Sequence, residues 1–245
     1  MDLKEDTVKH TGYGKRRVWL VQKGVWDMPK ESMPLAVGYL KATVLANETI
    51  QDHMDVEIFN FGGGDDLIMM GNRIFSSQAP DIMAFSVLGW NYRTFEALAE
   101  TFKQLNPQGW VVFGGNHVAN QGKKVMRDFP CVDVVVNCEG EFVFRDLLLA
   151  YLGEHSSHDL STIGGITYKN EAREIITTTE PPRITNLSGC QEITLSKEAV
   201  RGEKRIIPFA VEGVQLNGKS RHVCIRYFAP CWVKVGVESA LHSQS

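Results

Sequence analysis

The sequence predicts an α/β fold, a doubly wound five-stranded parallel sheet of flavodoxin-like or Rossmann-like type with a C-terminal β-hairpin. Two observations predict it. Five short apolar runs are each followed by a segment with helical spacing, and right-handed crossovers then place helices on both faces of a parallel sheet. Several of those runs also end abruptly in glycine plus polar residues, as at Trp110-Val-Val-Phe-Gly-Gly-Asn-His117 and Val132-Asp-Val-Val-Val-Asn-Cys-Glu-Gly-Glu141. Open α/β sheets hold their ligands outside the carboxyl ends of the strands, so these endings mark a ligand edge.

The elements follow in order. Arg17-Val-Trp-Leu-Val-Gln22 is β-branched and aromatic, as a buried strand is, and Pro34 opens a helix carrying Leu35, Gly38, Tyr39, Ala42 and Leu45. Asp55-Val-Glu-Ile-Phe-Asn-Phe61 alternates polar and apolar residues, which fits a strand near the sheet edge, and it ends in Gly62-Gly-Gly64 before a helix around 67–76. Asp81-Ile-Met-Ala-Phe-Ser86 is the third strand. Phe95, Leu98, Ala99, Phe102 and Leu105 form the stripe of the helix after it, with Asn91 placed to cap it. Trp110–Phe113 leads to a helix over 122–129, and Val132–Val136 leads to one bearing Phe144, Leu147, Leu148 and Tyr151. Thr162–Tyr168 and Arg173–Thr178 then read as the two strands of the hairpin. The expected division is a polar lead-in over 1–16, the domain with its closing hairpin over 17–187, and a divergent tail over 188–245 in which the strand–helix rhythm stops.

Composition narrows the function. The 245 residues are 43% hydrophobic, enough for a buried core, and carry a net charge of −3 with mixed signs, which argues against nucleic acid as a partner. The basic Lys15-Arg-Arg17 reads as a solvated lead-in. No apolar run approaches the ~20 residues of a membrane span and the amino terminus lacks a signal peptide, so the expected setting is cytoplasmic, with no membrane partner. Five cysteines at irregular spacing suit reduced thiols rather than a disulfide framework or a zinc site, and no metal ligands are assigned.

The loops decide among ligands. A Gly-x-Gly-x-x-Gly fingerprint should follow the first strand in a dinucleotide-binding domain, but Gln22-Lys-Gly-Val-Trp-Asp27 stands there. A Walker lysine motif is absent, and Gln22 and Lys23 occupy the place where a phosphoreceiver domain has acidic residues. Glycine-bearing loops remain at Ser86-Val-Leu-Gly-Trp-Asn91, Gly114-Gly-Asn-His117 and Glu139-Gly-Glu141, where backbone can approach a large flat ligand closely.

These loops, with Met33-Pro-Leu-Ala-Val-Gly-Tyr-Leu40, Pro80-Asp-Ile-Met-Ala-Phe-Ser86 and Ile163-Gly-Gly-Ile-Thr-Tyr168, make residues 17–187 resemble the N-terminal cobalamin-binding domain of the B12-dependent radical S-adenosylmethionine enzymes. Within that group, Trp26-Asp-Met-Pro, Ser32-Met-Pro-Leu-Ala and Gly114-Gly-Asn-His are most similar to the tryptophan 2-C-methyltransferase branch. The resemblance implies cobalamin as cofactor, lying across the carboxyl edge. Ser86, Val87, Gly89, Trp90 and Asn91 would line the corrin or its tail, Gly114 and Gly115 would pass beneath it, and Glu139, Gly140 and Glu141 would bond its amide side chains. Asn116 and His117 belong to the same set. The Asp-x-His-x-x-Gly motif through which other cobalamin proteins supply a histidine to cobalt is absent, so the resemblance implies base-off cobalamin without a protein histidine, with His117 in loop structure or peripheral bonding. The implied reaction is methyl transfer with S-adenosylmethionine as donor.

The resemblance stops at the tail. Full members continue into a catalytic barrel whose Cys-x-x-x-Cys-x-x-Cys loop holds an iron–sulfur cluster, and no such triplet occurs here. The remaining 188–245 is far short of the ~200 residues or more of a (β/α) barrel. The resemblance then implies either a truncated or frameshifted member or a stand-alone cobalamin module with a divergent tail; the cluster and S-adenosylmethionine are expected only where a barrel is supplied, as by a separate catalytic domain or protein, and no catalytic residue is assigned to this chain. The residues alone leave room for a plainer reading. Trp19 and Trp110 suit a core and Trp90 either core or ligand, Glu139 and Glu141 suit the first turn of a helix, and Met69-Met70 suit packing. The alternative function is a flavodoxin-like scaffold that binds another flat cofactor such as FMN or acts in protein interaction.

Overall fold

A computed structural model of the chain describes residues 14–25, 34–153 and 159–181, together with the backbone of 214–216 and 219–221. Its elements are β1 (Arg16–Lys23), α1 (Leu35–Leu45), α2 (Glu48–His53), β2 (Met54–Phe61), α3 (Leu67–Ile74), β3 (Ile82–Ser86), α4 (Tyr92–Leu105), β4 (Trp110–Gly114), α5 (Gly122–Asp128), β5 (Val134–Val136), α6 (Gly140–Leu152), β6 (Ile166–Lys169) and β7 (Ile175–Thr177). A separate pair, β8 (Val214–Leu216) and β9 (Lys219–Arg221), lies within the tail.

The sheet has seven strands rather than five, in the order β2-β1-β3-β4-β5-β6-β7. The first five are parallel, as expected, and the hairpin adds β6 antiparallel to β5 and β7 antiparallel to β6. Periodicity identifies a hairpin but not where it docks. The three-residue β5 would otherwise present an open edge of unpaired amides, and β6 covers it. β2 sits on the opposite edge, in keeping with its alternating burial.

Side-chain alternation splits the core into two layers. Val18, Leu20, Ile58, Ala84, Val112 and Val134 face α1 and α6, whereas Trp19, Val21, Phe59, Met83, Phe85, Val111 and Phe113 face α3, α4 and α5. Phe85 stands at the centre of the second layer, with ring centroids 5.0 Å from Phe95 and 5.4 Å from Phe113. Trp19 is buried and Trp110 packs on Tyr151 at 5.0 Å, as the core reading expected.

Several local expectations are corrected. Leu105 is exposed, because α4 ends there and Asn106 turns the chain by donating to the Pro80 carbonyl at 2.8 Å. Of the methionine pair only Met70 is buried; Met69 lies outward in the first turn of α3 with Leu67 and Ile68. The two arginines of the basic lead-in start β1 instead, where Asp81 accepts from the Arg17 amide at 2.8 Å and from the Arg16 guanidinium at 3.1 Å. The short helix α2, capped by Asn47 through the Ile50 amide, had no expectation.

At the amino edge Asp133 accepts from the Val111 amide and from Lys103 Nζ, each at 2.7 Å. Burial pushes its carboxyl up, and the two lysines Lys103 and Lys169 oppose that. Of the five cysteines, Cys190, Cys224 and Cys231 lie outside the described residues. Among the described residues no helix is long and apolar enough to cross a membrane.

Candidate functional site

The strand order puts β1 beside β3 while the chain leaves them in opposite directions, which makes the crevice between their carboxyl ends the topological switch point. The loops along this edge are bonded to one another in series. Gly24 donates to the Phe61 carbonyl at 2.9 Å, and Lys23 Nζ donates to the Asp65 carbonyl at 2.7 Å, which joins the β1 and β2 ends. Trp90 Nε1 at 3.2 Å and Asn91 Nδ2 at 3.4 Å both donate to the Lys23 carbonyl, joining β3 to β1. The Val87 amide donates to the Gly114 carbonyl at 2.6 Å, joining β3 to β4.

Asn91 precedes α4 as expected, yet its side chain caps nothing. It accepts from the Leu88 amide at 2.7 Å and donates to the Ser86 carbonyl at 3.1 Å, folding the β3 loop upon itself. Asn91 and Val87 are both fully buried, so their part is to shape the loop. Gly89 and Trp90 are exposed, Trp90 by 50%, and Ser86 is half-buried. The Trp90 indole thus offers a face at the switch point with its N–H already engaged.

Gly115 takes φ +108°, and a Cβ there would stand 2.6 Å from the Val87 carbonyl oxygen. Only glycine fits this position. A Cβ on Gly114 would meet the Val136 side chain at 3.8 Å, an ordinary contact, so space under Gly114 is not what the fold requires. Asn116 and His117 follow on the exposed rim, and the His117 ring packs edge-on to Tyr92 at 4.7 Å.

Asn137, which sequence reasoning missed, links the next three segments. Its Oδ1 accepts from the Asn120 amide at 3.2 Å, and its Nδ2 donates to Thr167 Oγ1 at 3.0 Å. The Asn137 amide also donates to the Gly165 carbonyl at 2.8 Å. The hairpin therefore belongs to the rim, and Asn120, at φ +59°, is held by it. The available signal was a polar residue closing the run Val-Val-Val-Asn.

Glu139 precedes α6, and Glu141 sits in its first turn. Burial holds the Glu141 carboxyl above its usual range, with the charge of Glu139 adding to the shift. Gly140 packs against Leu40 of α1. Cys138 lies between the two glutamates and Gly165, and burial followed by the nearby carboxylates pushes its thiol up to about 11. Cys138 is therefore a thiol at neutral pH. At pH 8 its alkylation by iodoacetamide, read by mass spectrometry, is expected to run about a hundredfold slower than that of an ordinary cysteine, because thiolate is the nucleophile.

Part of the chain, including this edge, is similar to known proteins. Residues 72–148, which run from α3 into α6, match the family model described as B12 binding domain. That stretch is similar to a B12 binding domain. The cobalamin-dependent radical SAM methyltransferase TokK of Streptomyces tokunonensis is 32% identical over 97 residues, covering 40% of this chain and 14% of that protein. An uncharacterized methyltransferase of Pyrococcus horikoshii is 30% identical over 151 residues, covering 61% of this chain and 30% of that protein. The chain thus spans less than a third of the length of either relative. The radical enzyme OxsB, solved with aqua-cobalamin and S-adenosylmethionine bound, shares the fold at a TM-score of 0.52 and 21% identity, over 69% of this chain and 23% of that one. The three glycine-bearing loops lie on one edge of the sheet, as the sequence led one to expect.

Proposed function

We propose that the rim of the B12-binding domain holds cobalamin, and that the chain serves as the cofactor-carrying part of a methyltransferase whose radical chemistry belongs to a separate catalytic domain or protein. The observation that carries this reading is the match of residues 72–148, which contain all three rim loops entire. The residues present fit the group. Gly115 has room for no side chain beneath the rim, so backbone lies bare there, and the three loops expose polar groups around it.

Gly114 and Gly115 would support the corrin from below, and Ser86, Gly89 and Trp90 would line it or its tail on the switch-point side. Asn116 and His117 would touch its periphery, and Glu139, Gly140 and Glu141 its amide groups, with Val87 and Asn91 holding the first loop in shape. When bound, cobalamin supplies the carriage of a methyl group from donor to acceptor. His117 does not reach the metal in this reading, because its ring is packed on Tyr92. His117→Ala is therefore expected to leave the absorption bands of the bound corrin where they are in the wild type; a band shift on removal of His117 would contradict that assignment.

Incubation of the purified chain with hydroxocobalamin, desalting and an absorption spectrum test the reading. Retention of about one corrin per chain is expected, and no retained corrin would overturn it. A strand order β2-β1-β3-β4-β5 is also that of flavodoxins, and the exposed Trp90 at the β1/β3 crevice is a surface on which a flavin could stack. Retention of FMN in a parallel trial, with none of cobalamin, would favour that second reading.

A further inference from the structure

Strand alternation aims Val18, Leu20 and Gln22 of β1 at the layer of α1 and α6, and the first two belong to that core. Gln22 is paired in register with Asn60 of β2. It lies one step beyond the Val21–Phe85 pair, abreast of Ser86, which is itself paired with Gly114. The last inward row across four strands therefore reads Asn60, Gln22, Ser86, Gly114. The inward row beneath it reads Ile58, Leu20, Ala84, Val112, all buried. Within one step of the pleat the face changes from wholly apolar to amide, amide, hydroxyl and bare backbone, at the switch point.

Gln22 Oε1 in this row is shut off from solvent and accepts no hydrogen bond from the described residues. Buried polar atoms are nearly always paired, because an amide oxygen stripped of water without a new donor costs stability, so an exception asks for a donor that the described residues do not supply. Nothing in the packing requires an amide here, since a methionine would fill the same length.

We infer that Gln22 is a ligand-binding residue whose Oε1 accepts a hydrogen bond from the bound cofactor, and that the cofactor must bring an N–H or O–H donor down into the row between the end of β1 and the α1 layer. The inference rests on the cobalamin reading above. A corrinoid has two sources of such donors, the carboxamide groups of the ring and the ribose hydroxyl of the nucleotide tail, whereas the tail phosphate and base offer none.

The test compares wild-type chain with Gln22→Met, and with Gln22→Leu as a second variant, for melting temperature without ligand and for affinity toward hydroxocobalamin and toward cobinamide, which lacks the tail. The two readouts are expected to move in opposite senses. Removal of an unpaired acceptor leaves the ligand-free melting temperature unchanged or raises it by about 2–4 °C, while hydroxocobalamin binds tenfold or more weakly. An equal loss toward cobinamide assigns the donor to the ring carboxamides, and a loss confined to hydroxocobalamin assigns it to the tail. Wild-type affinity in both variants, or a fall in stability alongside affinity, would overturn the inference and make Gln22 a structural residue. Failure of the wild-type chain to bind either corrinoid would instead overturn the cobalamin reading itself.

Discussion

Gly115→Ala is expected to lower the stability of the domain by about 2–4 kcal/mol and to abolish retention of cobalamin. The cause is local and double. A φ of +108° is a conformation that side-chain-bearing residues rarely adopt, and the added Cβ would stand 2.6 Å from the Val87 carbonyl oxygen, which is backbone and cannot swing away. Relief requires the β4 loop to move off the β3 loop, which would strain the hydrogen bond from the Val87 amide to the Gly114 carbonyl. Urea unfolding reads the first effect and desalting with hydroxocobalamin the second. Gly114→Ala is the matched control: its Cβ would make an ordinary 3.8 Å contact, so stability should stay within about 0.5 kcal/mol while the bound corrin loses its close approach to backbone.

Asn137→Ala carries the second large effect. Its side chain makes two hydrogen bonds inside the protein, and truncation leaves the Asn120 amide without its acceptor and Thr167 with Thr177 alone. Loss of a buried, satisfied pair of this kind costs about 2–3 kcal/mol. The β4 loop, pinned at Asn120, would then be free of the hairpin, so weaker cobalamin binding should accompany the lower urea midpoint. Asn137→Asp keeps an acceptor for the Asn120 amide and one for the Thr167 hydroxyl. It is expected to recover part of both losses, and equal damage from Ala and Asp would show that the Nδ2 donor matters more than the tie to Asn120.

Much of this was legible in the chain because it depends on periodicity. The five parallel strands, the helices between them and the edge position of β2 all follow from which residues are apolar at spacing 2 or 3.6, and burial bears them out at Phe95, Leu98, Ala99 and Phe102. Glycine-rich strand ends likewise located the rim. Docking of the hairpin onto β5 was not legible, because nothing local in Ile166–Lys169 states which edge it will pair with. The roles of Asn91 and Asn137 were hidden for a similar reason: each bonds across to a neighbouring strand end, and those partners are adjacent only after the sheet forms. Gln22 was read as the absence of an acid, and the burial of its oxygen shows only in the folded sheet. The resemblance to one methyltransferase branch rests largely on residues 26–36, of which 26–33 lie outside the described residues.

Two carboxylates near the rim differ in environment, and this bears on conditions for binding experiments. Glu141 titrates above the ordinary carboxylate range because it is buried. The sign follows from linkage: its contribution to folding is fully present below the unfolded pKa and is lost as pH rises through the raised folded value. Binding trials that compare variants therefore hold the pH constant, because ionisation of Glu141 weakens the fold at the rim as pH rises.

Hydrogen exchange with and without hydroxocobalamin reads whether cobalamin sits on the carboxyl edge of the sheet. Added cofactor should slow exchange in the loops at 86–91, 114–120 and 137–141, and leave the amino edge around Asp81, Asp133 and Lys169 unchanged. Protection confined to the amino edge, or bound corrin with no protection in those three loops, would contradict the account.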